Sequence, residues 1–316
     1  MQRSSIIRGT SLLAVSLVLS SCSKPEQAPP PPTETPAPAV ESAPAAVSTT
    51  VRSFSVGELQ AFALHDGGLD MPNDNKVFGV GQTPEEVAAV LSAAGQPTDN
   101  LHLDIHPLLV KTADKVLLFD TGAGANVGPG AGKLVASMAE AGIDPQSITD
   151  IFISHSHGDH VGGLVNGEGT LAFPNAKIHL SNAEWKHLSA SEDNAALVKA
   201  MKPAVRTFAP NAELVPGVVT AVEVKGHTPG HSAYRISSGP ESLLYVGDSM
   251  HHFVVSVQKP EWIISFDGDG KTGAASRATL IADSAAAGQR IYAVHFPFPG
   301  LGKFEKKGEG FVWGAE

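Results

Sequence analysis

A single cysteine, Cys22, is all the thiol chemistry this chain carries. Beyond residue 22 a disulfide framework and a thiolate-ligated zinc site are therefore excluded, and export would demand no oxidative folding. Basic residues are scarce as well: 22 Lys and Arg face 32 Asp and Glu, a formal charge of −10. Nucleic-acid binders need basic stripes that displace counterions. Lys303, Lys306 and Lys307 form only a short surface cluster, so no nucleic-acid partner is expected. The N-terminal apolar run covers residues 12–19, short of the about 20 residues a membrane-spanning helix needs.

That short run is still informative. Arg3 and Arg8 precede it, as the charged region of a secretory signal precedes its apolar region. It ends in Leu19-Ser20-Ser21-Cys22, which resembles a bacterial lipobox and implies that Cys22 becomes the lipidated first residue of the mature chain. Ser23 stands where Asp often retains lipoproteins at the inner membrane. The expected address is then the cell envelope, lipid-anchored on the periplasmic face of the outer membrane. A plain signal peptide with release into the periplasm is the alternative. Residues 24–50 are dominated by Pro, Ala, Glu, Ser and Thr, with an uninterrupted run from Pro29 to Pro32. Such a composition cannot bury enough apolar surface to fold and reads as a semi-extended tether. The expected organisation is a lipoprotein-type signal over 1–22, a disordered tether over 23–50 and one globular domain over 51–316.

Chemistry is concentrated in His155-Ser156-His157-Gly158-Asp159-His160, three imidazoles and a carboxylate in six residues. They follow the apolar stretch 148–154, which reads as a buried strand. Imidazole and carboxylate are the ligands that zinc and similar divalent ions prefer. Residues two apart in extended backbone project to the same side, so His155 and His157 can reach one metal. Gly158 lets the chain turn, and Asp159 and His160 can then face a second. Three downstream pieces supply further candidates, each past a short β-like run: Gly226-His227-Thr228-Pro229-Gly230-His231, Gly247-Asp248-Ser249, and His295. Sheet edges that deliver ligands to one cleft would produce this pattern.

Taken in order, HxHxDH, GHTPGH, GDS and a late His resemble the metallo-β-lactamase superfamily, over residues 51–316. The segments Leu64-His65-Asp66-Gly67 and His295-Phe296-Pro297-Phe298-Pro299-Gly300 are similar to the branch of methyl parathion hydrolase and related lactonases. The resemblance implies an α/β fold, an αββα sandwich forming a single catalytic domain. It also implies two divalent ions, with Zn first and Mn, Fe or Co as alternatives. His155, His157 and His227 would hold one, Asp159, His160 and His295 the other, and Asp248 would bridge both. A hydroxide between the ions would be the nucleophile, with Asp159 orienting it or shuttling its proton, so Asp159 and Asp248 are the expected catalytic residues. His231 is expected to orient the site through a hydrogen bond. Asp120, in the Asp120-Thr121-Gly122 turn, is expected to buttress it without binding metal. The missing cysteine and the bridging Asp248 argue against β-lactam hydrolysis.

The implied reaction is cleavage of a lactone, carboxylic ester or phosphotriester, and an apolar pocket with few polar groups suits a small hydrophobic substrate of that kind. Trp185, His251, His252, Phe253 and Phe298 are candidate pocket residues, with Phe296 beside them; each reads equally well as an ordinary core or loop residue. The alternatives are a thioester hydrolase like glyoxalase II, for which little chain follows His295, an iron-dependent oxidoreductase, and a non-enzymatic metal binder of the envelope. Relatives are often dimers, so a homodimer is an expectation. His65, His102, His106 and His179 read as packed or surface histidines. Residues 108–110 and 116–119 form an expected hairpin across 113–114. Helices are expected at 84–94, 132–141 and 273–287, the second with Leu134, Val135 and Met138 on one face. Strands are expected at 177–180, 218–224, 233–236 and 243–246.

Overall fold

Short apolar runs separated by tight turns make strands throughout residues 49–316, the part of the chain that the computed structural model describes. The expected signal over 1–22, and the tether over 23–50 but for its last two residues, lie outside the described residues. Among the described residues two seven-stranded sheets dominate. The first runs Val51–Val56, Leu59–Leu64, Leu108–Lys111, Val116–Phe119, Asp150–Phe152, Lys177–Ser181, Val205–Phe208. The second runs Glu213–Val215, Val219–Glu223, Ser232–Ser238, Glu241–Tyr245, Arg290–Tyr292, Leu301–Lys307, Gly310–Ala315. The expected hairpin forms in register, with Leu108 opposite Phe119 and Lys111 opposite Val116.

The inner faces of the two sheets pack on aromatic rings. Phe119 and Phe152, 5.0 Å apart, meet Tyr234 and Tyr245 from the second sheet. Buried tyrosine hydroxyls need acceptors; Tyr234 donates to the Ile153 carbonyl at 2.6 Å and Tyr245 to the Asp120 carboxylate at 2.7 Å. Helices cover both outer faces. Leu134 and Met138 of Leu134–Glu140 and Leu188 of Asn182–Ala190 cover the first sheet, and Ile281 of Gly270–Ala287 covers the second. The result is the expected αββα sandwich.

The helices follow their local signals, with one correction. Pro84–Ala93 starts with a capping box, in which Thr83 Oγ1 accepts the Glu86 N–H and Glu86 accepts the Thr83 N–H. Gly270–Ala287 ends at Gly288 in the left-handed conformation, φ 60°. The helix Leu134–Glu140 buries Leu134, Ser137 and Met138, whereas Val135 is 51% exposed. Adjacent helical residues are rotated by about 100°, so the i, i+3, i+4 set shares the inner face and i+1 leaves it. No helix among the described residues is long and apolar enough to cross a membrane.

His106 ties the two sheets together and sets a pH limit on stability. It is fully buried, donates from Nε2 to the Phe296 carbonyl at 2.8 Å, and places Nδ1 3.1 Å from the Tyr292 hydroxyl. Burial pushes its pKa down to about 4. The unfolded chain returns it to the ordinary 6.5 or so, and protonation then favours unfolding. Its contribution is complete above the unfolded value and is lost as pH falls towards the folded one, on the order of 3 kcal/mol in all. His106→Gln should therefore show a flatter stability profile than wild type between those two pH values. Urea unfolding of chelated protein across that window measures it; a wild-type-minus-variant difference independent of pH would refute the assignment.

Candidate metal centre

Four of the seven expected ligands stand just past the end of a strand. His155 follows Asp150–Phe152, His227 follows Val219–Glu223, Asp248 follows Glu241–Tyr245, and His295 follows Arg290–Tyr292. Asp159 and His160 ride on the single helical turn Gly158–Val161, which begins where Gly158 breaks the extended path. The two sheets present these ends at one edge. Donor atoms of His155, His157, His227 and Asp248 lie within 4.8 Å of one another, and those of Asp159, His160 and His295 form a second such group. Within the first, His227 Nε2 is 3.0 Å from both His155 Nε2 and His157 Nδ1.

Asp248 lies between the groups and turns one oxygen to each. Its Oδ1 is 3.0 Å from both His160 Nε2 and His295 Nε2, and its Oδ2 is 3.5 Å from His155 Nε2 and 3.4 Å from His227 Nε2. Gly247 makes that position reachable: its φ is 50°, and a Cβ there would stand 2.7 Å from His231 Nε2. His231 acts as expected, accepting the Asp248 N–H on Nε2 at 3.0 Å while Nδ1 faces the Val224 carbonyl at 3.3 Å.

Partners behind the rings decide where the protons sit. His295 Nδ1 faces the Asp104 carbonyl at 2.8 Å, which can only accept. His227 Nδ1 pairs with Asp267 at 2.9 Å and His160 Nδ1 with Asp120 at 2.7 Å. The Nδ1 protons are thereby fixed, and the Nε2 lone pairs of all three rings point inward. His160 Nε2 and Asp248 Oδ1 are buried without a hydrogen-bond partner. Lone pairs and carboxylate oxygens facing one another repel unless a cation lies between them. This donor set is that of a divalent-metal site.

The electrostatics agree. Asp248 is held well below the carboxylate range: burial alone would raise it, but His160, His295 and His155 outweigh burial. Burial pushes His155 well below the imidazole range, with His160 adding to it, and also lowers His157 and His227. His160 goes the other way. Burial opposes its charge, yet the carboxylates of Asp248, Asp159 and Asp120 hold its pKa well above the ordinary value. His295 is likewise raised against burial by Asp248 and Asp159. Protons collect where a cation would lie, so metal uptake must displace them and weakens in acid.

The family model of the metallo-beta-lactamase superfamily matches residues 104–269. The chain belongs to that superfamily. Among solved structures it is similar to AidC, described as a dizinc quorum-quenching lactonase in complex with a product, N-hexanoyl-L-homoserine. That pair is 31% identical with a TM-score of 0.80, covering 84% of this chain and 97% of AidC. The hydrolase AbOPH is 26% identical with a TM-score of 0.76, over 84% of this chain and 97% of its own. An N-acyl homoserine lactonase of a Bacillus species is 34% identical over 116 residues, 35% of this chain and 43% of that protein. The chain spans about half the length of the curated relatives it matches.

In this member of the superfamily the metal groups open into two cavities that share His157 and Phe266. One, about 280 Å³, is walled by Leu69, Leu103, Val127 and Phe266 above Asp159, Asp248 and His295. The other, about 620 Å³, opens past His227 and Thr228 to Lys225 and His187. Of the candidate pocket residues only His251 lines either one; neither of its ring nitrogens is hydrogen-bonded, and Nε2 is 3.1 Å from Asp248 Oδ2. The others lie elsewhere. Trp185 packs on the core under the first sheet. His252 and Phe253 line a separate hollow with His102 and Asp104, and His252 Nδ1 accepts the Val254 and Val255 N–H groups. Phe298 stacks edge-on against His65 and His106, and Phe296 is buried against Trp313. These aromatic side chains sit on a helix or in loops that pack back on the core, whereas the wall comes from other loops and the strand pair Gly67–Pro72 and Asn100–Ile105.

Asp120 is in place as a buttress. It is fully buried in the left-handed conformation, φ 57°, and contacts His160 without facing either metal group. Sequence reasoning missed Asp267, Asp104 and Glu184 as supports. Asp267 is itself paired with buried Arg277 at 3.3 Å.

Proposed function

We propose that this protein is a dinuclear, zinc-dependent hydrolase that opens lactones, with carboxylic esters and phosphotriesters as secondary substrates. The observation that carries the reading is Asp248, whose two oxygens each face one of two separate donor groups. His155, His157 and His227 would hold one ion, Asp159, His160 and His295 the other, and Asp248 both. Bound there, the ions would supply a water acidified towards neutral pH and stabilisation for charge developing on the substrate carbonyl. The preference for lactones rests on AidC and the Bacillus protein, both named as lactonases.

The chain's own residues do the rest. Asp159 is the most exposed donor of its group, its side chain 22% accessible, with Oδ2 3.5 Å from His295 Nε2. In this reading Oδ2 takes a proton from the attacking water and returns it to the leaving alkoxide, and its exposure and its distance from His295 support that role. The hydroxyl adds to the carbonyl carbon, the ring C–O bond breaks, and a hydroxy acid leaves. Leu69, Leu103, Val127 and Phe266 keep bulk water from this step and take up an apolar acyl group. His251, on the same wall with Nε2 3.1 Å from Asp248 Oδ2, would contact the bound substrate beside that carboxylate. Attachment to the envelope through Cys22 completes the proposal and rests on the lipobox-like segment alone.

The test is hydrolysis by the full chain, reloaded with Zn or Mn, of an acyl-homoserine lactone, a p-nitrophenyl ester, an aryl phosphotriester and a glutathione thioester. Chelator-sensitive turnover is expected, with the lactone fastest. Thioester cleavage alone would move the protein to the glyoxalase II-like class, and turnover indifferent to chelator would end the metallohydrolase reading.

A further inference from the structure

Ser181-Asn182-Ala183-Glu184 opens the helix Asn182–Ala190 with the spacing of a capping box. The same spacing at Thr83 and Glu86 gives the full reciprocal pair. At Ser181 only half of it forms. The serine hydroxyl accepts the Glu184 N–H at 3.0 Å, but the Glu184 carboxylate turns away from the helix and into the metal-binding loops. There it is 0% exposed and meets four donors. Oε1 accepts the Ser156 N–H at 2.8 Å and the Ser156 hydroxyl at 2.5 Å. Oε2 accepts the Thr228 hydroxyl at 2.8 Å and the Gly230 N–H at 3.0 Å.

The placement of those donors is selective. Ser156 separates His155 from His157, and Thr228 follows His227, so all three histidines of one group adjoin a residue that Glu184 holds. None of the four donors belongs to Asp159, His160 or His295; the rings of His160 and His295 lean on Asp120 and the Asp104 carbonyl instead. Helix and loop meet without slack. A Cβ on Gly230 would stand 2.2 Å from the Glu184 nitrogen, and Ser181 Oγ donates to the Gly230 carbonyl at 2.7 Å. A buried carboxylate is tolerated only when its oxygens are hydrogen-bonded, and a local capping rule broken beside a site is where functional demand is expected to override propensity.

We propose that Glu184 is the positioning residue of the three-histidine group, clamping the loop of His155 and His157 to the loop of His227 so that they close on one ion. The proposal rests on the dinuclear reading for what the group holds. The full chain, stripped by chelator, would be titrated with Zn²⁺ against a chromophoric competitor, and with Co²⁺ followed by its visible absorption. In Glu184→Gln, an amide that cannot accept on both sides, one ion should weaken tenfold to a hundredfold, the range for ligand-orienting groups, while the other keeps its wild-type affinity. Thr228→Val removes a single donor and should weaken the same ion by less. Unchanged affinity in both variants, or equal weakening of both ions together with a lowered metal-free melting temperature, would overturn the clamp. If Glu184→Gln does not fold, Thr228→Val decides alone, by whether it weakens one ion selectively. Wild-type stoichiometry tests the dinuclear reading separately. A single wild-type ion would refute that reading, and the Glu184→Gln effect on that ion would still judge the clamp.

Discussion

Asp248→Asn should lower turnover on the order of a thousandfold while the circular dichroism spectrum stays that of wild type. Among the described residues the carboxylate is the one group that faces both donor sets, with Oδ1 3.0 Å from two imidazole nitrogens and Oδ2 within 3.5 Å of two more. An asparagine keeps the shape but has one oxygen. Whichever group its amide nitrogen faces receives two N–H bonds in place of an acceptor, and one ion loses its shared ligand. The backbone is not at risk, because His231 holds the Asp248 N–H and not its carboxylate. Initial rates on the most reactive substrate, with metal content measured in the same samples, decide the matter. Wild-type turnover in the variant would remove Asp248 from its bridging place.

The seven donors could be read from the chain because their signals are local. Each is an imidazole or carboxylate that follows a short apolar run, and a strand end in an αββα sandwich points to one edge. What surrounds them could not be read that way. Leu69, Leu103 and Val127 form the cavity wall, yet as isolated aliphatic residues they carry no mark that separates them from the core. Trp185 carried such a mark and turned inward, since the helix Asn182–Ala190 must bury one face against the sheet. The supports were hidden for a different reason. Glu184 meets residues 28 and 46 positions away, and Asp267 meets His227 across 40. Such pairings exist only once distant segments have folded together, and the one from Glu184 to Gly230 only once the two sheets have met. The terminal hairpins, Val51–Val56 with Leu59–Leu64 and Leu301–Lys307 with Gly310–Ala315, were equally silent. The first has a continuous apolar run only over Ala61-Phe62-Ala63-Leu64 and none in Val51–Val56, and the lysines of the second, on exposed faces, read as a surface cluster.

The second large effect is expected at Asp120, the counterpart of Glu184 for the other metal group. Its Oδ1 accepts the Ser154 N–H at 2.7 Å, and its Oδ2 accepts Ser154 Oγ at 2.6 Å, His160 Nδ1 at 2.7 Å and Tyr245 Oη at 2.7 Å. Asn tolerates the left-handed backbone at φ 57° as Asp does, so Asp120→Asn should fold. The Ser154 N–H claims the remaining oxygen, and the amide nitrogen then faces three donors. His160 can relieve this only by accepting on Nδ1, which moves its proton to Nε2, the atom 3.0 Å from Asp248 Oδ1. A protonated Nε2 cannot ligate. The ion of Asp159, His160 and His295 should weaken by about tenfold to a hundredfold. The stranded Ser154 and Tyr245 hydroxyls should cost roughly 1–3 kcal/mol of stability. Zinc titration reads the first effect, and nitrogen NMR of the imidazoles reads the tautomer. If His160 keeps its proton on Nδ1 and both ions bind as in wild type, Asp120 supports the fold and not the metal. Loss of one ion in Asp120→Asn and of the other in Glu184→Gln would show that each half of the site is held by its own buried carboxylate, while Asp248 alone joins them.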